Sequence, residues 1–126
     1  MYRFIIGMLI VLASTSAYAQ VEGWLYFVDK PQADQLIDEP QLFLSQRALD
    51  RRALNEIPID VHDIPLYSLY IDQISSIESV VILAQSKWLN AVYLRIDEKY
   101  IPLLLAQTAV ERLQLANHLT LFPLEI

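Results

Sequence analysis

The sequence has no cysteine and only two glycines in 126 residues, Gly7 and Gly23. Without cysteine there is no disulfide framework, so any fold stands on its hydrophobic core. With so little glycine there is no Gly-rich loop of the kind that lets backbone amides cradle a phosphate. Neither glycine lies beside a serine, so no nucleophile elbow can form. Histidine is scarce as well, with only His62 and His118. Two isolated histidines without cysteine give no zinc spacing. Asp60, Asp63 and Asp72 do not follow the EF-hand pattern. No metal or cofactor is expected. Positive charge is in deficit, 9 Lys and Arg against 15 Asp and Glu, for a net charge of −6. With no basic block, nucleic acid is not expected as a partner.

What is present starts with an apolar leader. Met1 to Ala19 hold 14 apolar residues of 19. Arg3 gives the positive start, Phe4 to Ala13 the apolar run, and Ala17-Tyr18-Ala19 the small-x-small cleavage site, placing the cut before Gln20. The run is short of the roughly 20 residues that span a bilayer. Residues 1–19 are therefore expected to be a signal peptide, and the remainder an exported chain, secreted or periplasmic, with no membrane contact after cleavage. The remaining 107 residues include 55 apolar ones, an ordinary globular proportion for one domain.

Pattern then assigns elements. Gly23 to Asp29 is aromatic and β-branched, a first strand. Lys30 to Glu39 is polar and flanked by prolines, a loop or irregular helix. Pro40 to Asn55 has Leu42, Leu49 and Ala53 at helical spacing. Ile57 to Pro65 is a connector. Leu66 to Ile77 is a second helix, with Leu66, Tyr70, Ile74 and Ile77 on one stripe. Val80 to Ala84 is a short strand, followed by a turn at Gln85-Ser86-Lys87. Trp88 to Ile96 is a longer strand, in which Trp88 is expected to be the best-packed residue. Tyr100 to Thr108 is a third helix, with Pro102 in its first turn, and Val110 to Leu115 a last strand. Asn117 to Ile126 is an apolar tail. The order β-α-α-β-β-α-β predicts an α+β fold of split β-α-β, ferredoxin-like plan. Its four-stranded antiparallel sheet has helices on one face and an extra helix in the first crossover. The other sheet face is left partly open, and an exposed apolar face usually meets a partner.

Candidate chemistry is sparse. His62 beside Asp60 and Asp63 is the one histidine–acid grouping, and a solvated turn is its plainer explanation. Asp97-Glu98 suits the helix start that follows. Arg47, Arg51 and Arg52 either pair with Asp60 and Asp63 to lock the crossover or dock on an acidic surface; the internal role is favoured. Asn90 sits mid-strand against its propensity, which calls for a hydrogen-bond partner or an edge position. The residues by themselves give an exported α+β binding domain rather than an enzyme.

Four stretches carry a family resemblance. They are Phe27-Val28-Asp29-Lys30; Leu44-Ser45-Gln46-Arg47-Ala48-Leu49-Asp50-Arg51-Arg52; Ile57-Pro58-Ile59-Asp60 with Asp63-Ile64-Pro65; and Ser86-Lys87-Trp88-Leu89-Asn90-Ala91-Val92. Together they resemble the N-terminal prodomain of secreted bacterial subtilisin-like serine proteases, the S8 family, from about Gly23 to Leu115. The resemblance implies an export signal, a ferredoxin-like prodomain and a following catalytic domain. No Asp, His or Ser block of that domain lies in this chain, so no residue inherits a catalytic role. It implies structural roles for Ser45, Arg47, Arg51, Arg52, Lys87, Trp88 and Asn90. It further implies an intramolecular chaperone and inhibitor whose open sheet face packs on the protease, in cis or in trans. Its tail, Leu121, Phe122, Pro123, Leu124, Glu125 and Ile126, is implied to run through the substrate cleft. The domain is expected at residues 20–116 and the tail at 117–126. Two origins stand side by side: a truncated gene product, or a free-standing exported inhibitor or interaction domain.

Overall fold

The computed structural model describes residues 19–124. Of the expected leader only Ala19 is included; Glu125 and Ile126 also lie outside the described residues.

Five strands form one antiparallel sheet: β1 (Gln20–Phe27), β2 (Val81–Ser86), β3 (Ala91–Asp97), β4 (Val110–Leu115) and β5 (Thr120–Leu121). Their order is β2-β3-β1-β4-β5. The α+β class is as expected, but the sheet has five strands, not four. The fifth comes from the stretch expected to be tail, where Thr120 pairs with Gln114 and Leu121 with Leu113.

β1 lies at the centre because its sequence suits both neighbours. Gly23, Leu25 and Phe27 alternate inward, and Glu22, Trp24 and Tyr26 outward. Register carries this across the sheet: Leu25 stands between Val92 and Leu113, and Trp24 between Tyr93 and Gln114. Gly23 is required by close approach. A Cβ there would collide with the Gln114 carbonyl and lie 2.9 Å from the Leu115 Cα.

The core lies on the inward side. Leu25, Phe27, Val92, Leu94, Ile96, Val110 and Leu113 meet Leu66, Ile74 and Ile77 from the α3 (Ser68–Ser75) segment and Leu104 from α4 (Ile101–Leu105). Each such side chain contributes about 1.5–3 kcal/mol on burial. The stripe expected in the second helix is the one that packs, with Tyr70 at its margin.

Other elements differ from expectation. The stretch Pro40 to Asn55 is not one helix. A 3-10 turn at Pro40–Leu42 is separated from α2 (Gln46–Leu54) by Ser45, whose hydroxyl caps α2 by accepting from the Ala48 amide. No residue of α2 is buried, and Leu42 is exposed, so the Leu42–Leu49–Ala53 stripe is not a core stripe. The Lys30–Glu39 stretch holds one short helix, α1 (Ala33–Leu36). The third helix is a 3-10 turn at Glu98–Tyr100 continuing into the short α4. β2 extends through Gln85 and Ser86, and β3 begins only at Ala91, leaving residues 87–90 as the turn.

Candidate partner-binding surface

The four stretches singled out in the sequence converge at one end of the sheet. The Lys30 side chain, 9% exposed, sends its Nζ to three carbonyls: Val61 O at 2.9 Å, Ile64 O at 2.5 Å and Lys87 O at 2.7 Å. One ammonium therefore ties the end of β1 to the connector and to the β2–β3 turn. Burial, reinforced by the nearby Lys87, holds its pKa below the usual lysine value. Three acceptors offset the cost of burying that charge.

The connector is closed by α2. Arg52 grips Asp63 with both guanidinium ends, and Asp63, 1% exposed, also accepts from the Asp60 amide at 3.1 Å. Of the three arginines, Arg52 takes the internal role expected; Arg47 and Arg51 lie exposed on α2. The histidine–acid grouping is split. Asp63 is committed to Arg52, while His62 holds only the exposed Asp60, 3.2 Å away, and stacks on Trp88 with centroids 5.9 Å apart.

The β2–β3 turn is fixed from all sides. Asn90 adopts φ 52°, in the left-handed region that Asn tolerates better than most residues. Its Nδ2 donates to Phe27 O at 3.3 Å and Asp29 O at 2.9 Å, and its carbonyl accepts from the Phe27 amide. The expected hydrogen-bond partner is there, but Asn90 lies in a turn and not in a strand. Trp88 overturns its expectation: it is 56% exposed, because the strand in which it was to pack begins three residues later.

The outward side of the sheet is a ladder of aromatic and charged residues. Trp24 meets Tyr93 edge-on at 5.3 Å, and the Arg112 guanidinium lies over the Tyr26 ring at 3.7 Å. Arg95 donates to Glu22 from Nε at 3.0 Å and from Nη2 at 2.9 Å, and the Tyr93 hydroxyl donates to the same carboxylate. Partial burial, with that carboxylate as acceptor, raises the Tyr93 pKa. At the sheet edge the tail passes from β5 into Phe122, Pro123 and Leu124, the last 92% exposed. With α4 and Val110, these residues line an apolar groove of about 690 Å³.

Residues 22–124 match the Peptidase S8 propeptide domain of Bacteroidota. The chain belongs to that family. No curated protein and no solved structure matches it.

The family is that of the propeptide and not of the catalytic domain. Its match runs through the tail to Leu124, beyond the Leu115 limit that the motifs alone suggested. In this propeptide domain the structure gives Ser45, Arg52 and Asn90 definite bonds, and gives Lys87 one through its carbonyl. Lys30 is the residue that sequence reasoning undervalued. The motif that contains it implies no role for it, although an apolar strand ending in Asp-Lys-Pro marks a lysine entering a turn. Among the described residues no group of His, Cys, Asp or Glu is placed to hold a metal ion. None of their helices is long and apolar enough to cross a membrane.

Proposed function

We propose that this chain is the propeptide of an exported subtilisin-like serine protease, assisting the folding of the catalytic domain and inhibiting it until removed. Residues 1–19 are the signal peptide in this reading, and residues 20–116 the body of the inhibitor. The first four strands, ordered β2-β3-β1-β4, support the ferredoxin-like plan within the larger sheet. The outward face, with Trp24, Tyr26 and Tyr93 among charged neighbours, suits a partner surface.

The observation that carries the reading is the tail. After Leu121 it continues past the sheet edge as Phe122-Pro123-Leu124, apolar, with Phe122 and Leu124 exposed. An extended apolar segment can add backbone hydrogen bonds to a cleft edge and fill alternate pockets. Phe122 to Ile126 are the residues assigned to the cleft. Leu121, placed with them by resemblance, is bound into β5 and acts as their anchor. The continuous core favours a domain that folds unaided, so inhibition in trans as a free-standing inhibitor is the second form of the same reading. The test is a steady-state assay of a Bacteroidota S8 protease with the purified chain. Inhibition at micromolar concentration, lost on deleting residues 122–126, is expected. Unchanged cleavage with the full chain overturns the proposal.

A further inference from the structure

Exposing a tryptophan and a leucine side by side on a turn is unfavourable for a domain that has no use for them. Trp88 is 56% and Leu89 47% exposed. Their turn is also held more firmly than a solvent loop requires. Lys30 binds the Lys87 carbonyl, the Ser86 hydroxyl accepts from the Leu89 amide at 3.2 Å, and Asn90 is fixed to Phe27 and Asp29. The His62 ring stacks against Trp88. A large aromatic held in place before contact loses little entropy on binding, which is the property of an interface anchor.

The position of the turn in the sheet indicates the partner. β5 runs antiparallel to β4, so beyond Leu121 the tail heads toward the Val110 end of β4. Val110 pairs with Phe27, and the Phe27 amide binds the Asn90 carbonyl. The tail exit and the 86–90 turn are thus at the same end of the sheet, on opposite flanks. Successive residues of β4 join them: Val110 lines the groove beside the tail, and Glu111 lines a concavity of about 290 Å³ beside Trp88.

We infer that the Trp88–Leu89 turn is a second contact on the protease domain whose cleft receives the tail. This rests on the propeptide reading above. A body that takes the tail at this end of the sheet is the one large partner brought there by the chain's own topology. Trp88 and Leu89 are its apolar anchors, with His62 backing the indole.

The test measures binding of the full chain to the catalytic domain of a Bacteroidota S8 protease inactivated at its nucleophile. Trp88→Ala and Leu89→Ala are each expected to weaken binding about tenfold or more, with Trp88→Phe recovering part. Thermal unfolding of each free variant reports any loss of fold. Should Trp88→Ala fail to fold, the unsubstituted chain carrying fluorotryptophan decides, its two ¹⁹F signals assigned through Trp24→Phe. The Trp88 signal is expected to shift on complex formation. Unchanged affinity in folded variants, or an unmoved Trp88 signal in a formed complex, overturns the second contact and leaves the propeptide reading standing. A chain that does not bind the protease at all overturns both.

Discussion

Arg52 on α2 and Asp63 in the connector form a two-pronged ion pair, with Nη1 to Oδ2 at 2.7 Å and Nη2 to Oδ1 at 2.5 Å. α2 has no fully buried residue, and this pair ties it to the connector.

Removing Arg52 leaves the Asp63 carboxyl buried without its ion-pair partner. Arg52→Ala is expected to destabilise the domain by about 3–5 kcal/mol, a large part of the stability of a small domain. Arg52→Lys recovers only part, since an ammonium cannot make the two-pronged contact. Urea unfolding of the three proteins checks this.

Asn90 supplies both a backbone conformation and two side-chain bonds, and substitution separates them. Asn90→Gly keeps the positive φ at no steric cost and loses only the bonds. Asn90→Ala loses the bonds and also bears a left-handed penalty of about 1–2 kcal/mol. Alanine is therefore expected to be the less stable variant by denaturant midpoint. The reverse order would show that the conformation is not what selects Asn.

Tyr70 donates to Asp29 at 2.7 Å, and that bond raises its pKa from 10.0 to about 12. The folded state therefore holds a proton that the unfolded state releases first. This contribution is complete below pH 10.0 and is lost as pH rises to about 12. Lys30 acts in the opposite sense, its lowered pKa relieving a burial cost as the pH approaches 10.5. Tyr70→Phe is expected to flatten the alkaline fall in unfolding free energy between about pH 10 and 12. Denaturation at a series of pH values reads this slope.

Gly23→Ala places a methyl group against the β4 backbone, which cannot yield as a flexible side chain can. The expected cost is about 1–3 kcal/mol, with loss of hydrogen-exchange protection concentrated where β1 meets β4. An unchanged melting temperature would contradict the close approach.

Patterning showed elements well where a short local run decided them. Val110 to Leu115 matched β4 residue for residue, and the Leu66–Tyr70–Ile74–Ile77 stripe found its core. Patterning failed where a bond between distant residues decided them. Trp88 and Leu89 have the composition of a strand, yet Lys30 and Asn90 hold that segment as a turn. The Pro40–Asn55 periodicity did not show that Ser45 would cap a new helix and interrupt the first. β5 is two residues long, too short for any period to register. Of the proposed partner surface, the tail was legible as apolar sequence. The shared end of the sheet that relates it to the Trp88 turn exists only in the register.

The central position of β1 sets an order of events during synthesis. β1 is made first among the strands, yet both its partners come late, at Ala91–Asp97 and Val110–Leu115. Lys30 likewise waits for a carbonyl 57 residues further on. Contacts of such sequence separation carry a loop-closure cost and form slowly. A growing chain cannot complete its sheet until β4 and β5 have been made, so the central strand waits unpaired on one side for most of the domain's synthesis.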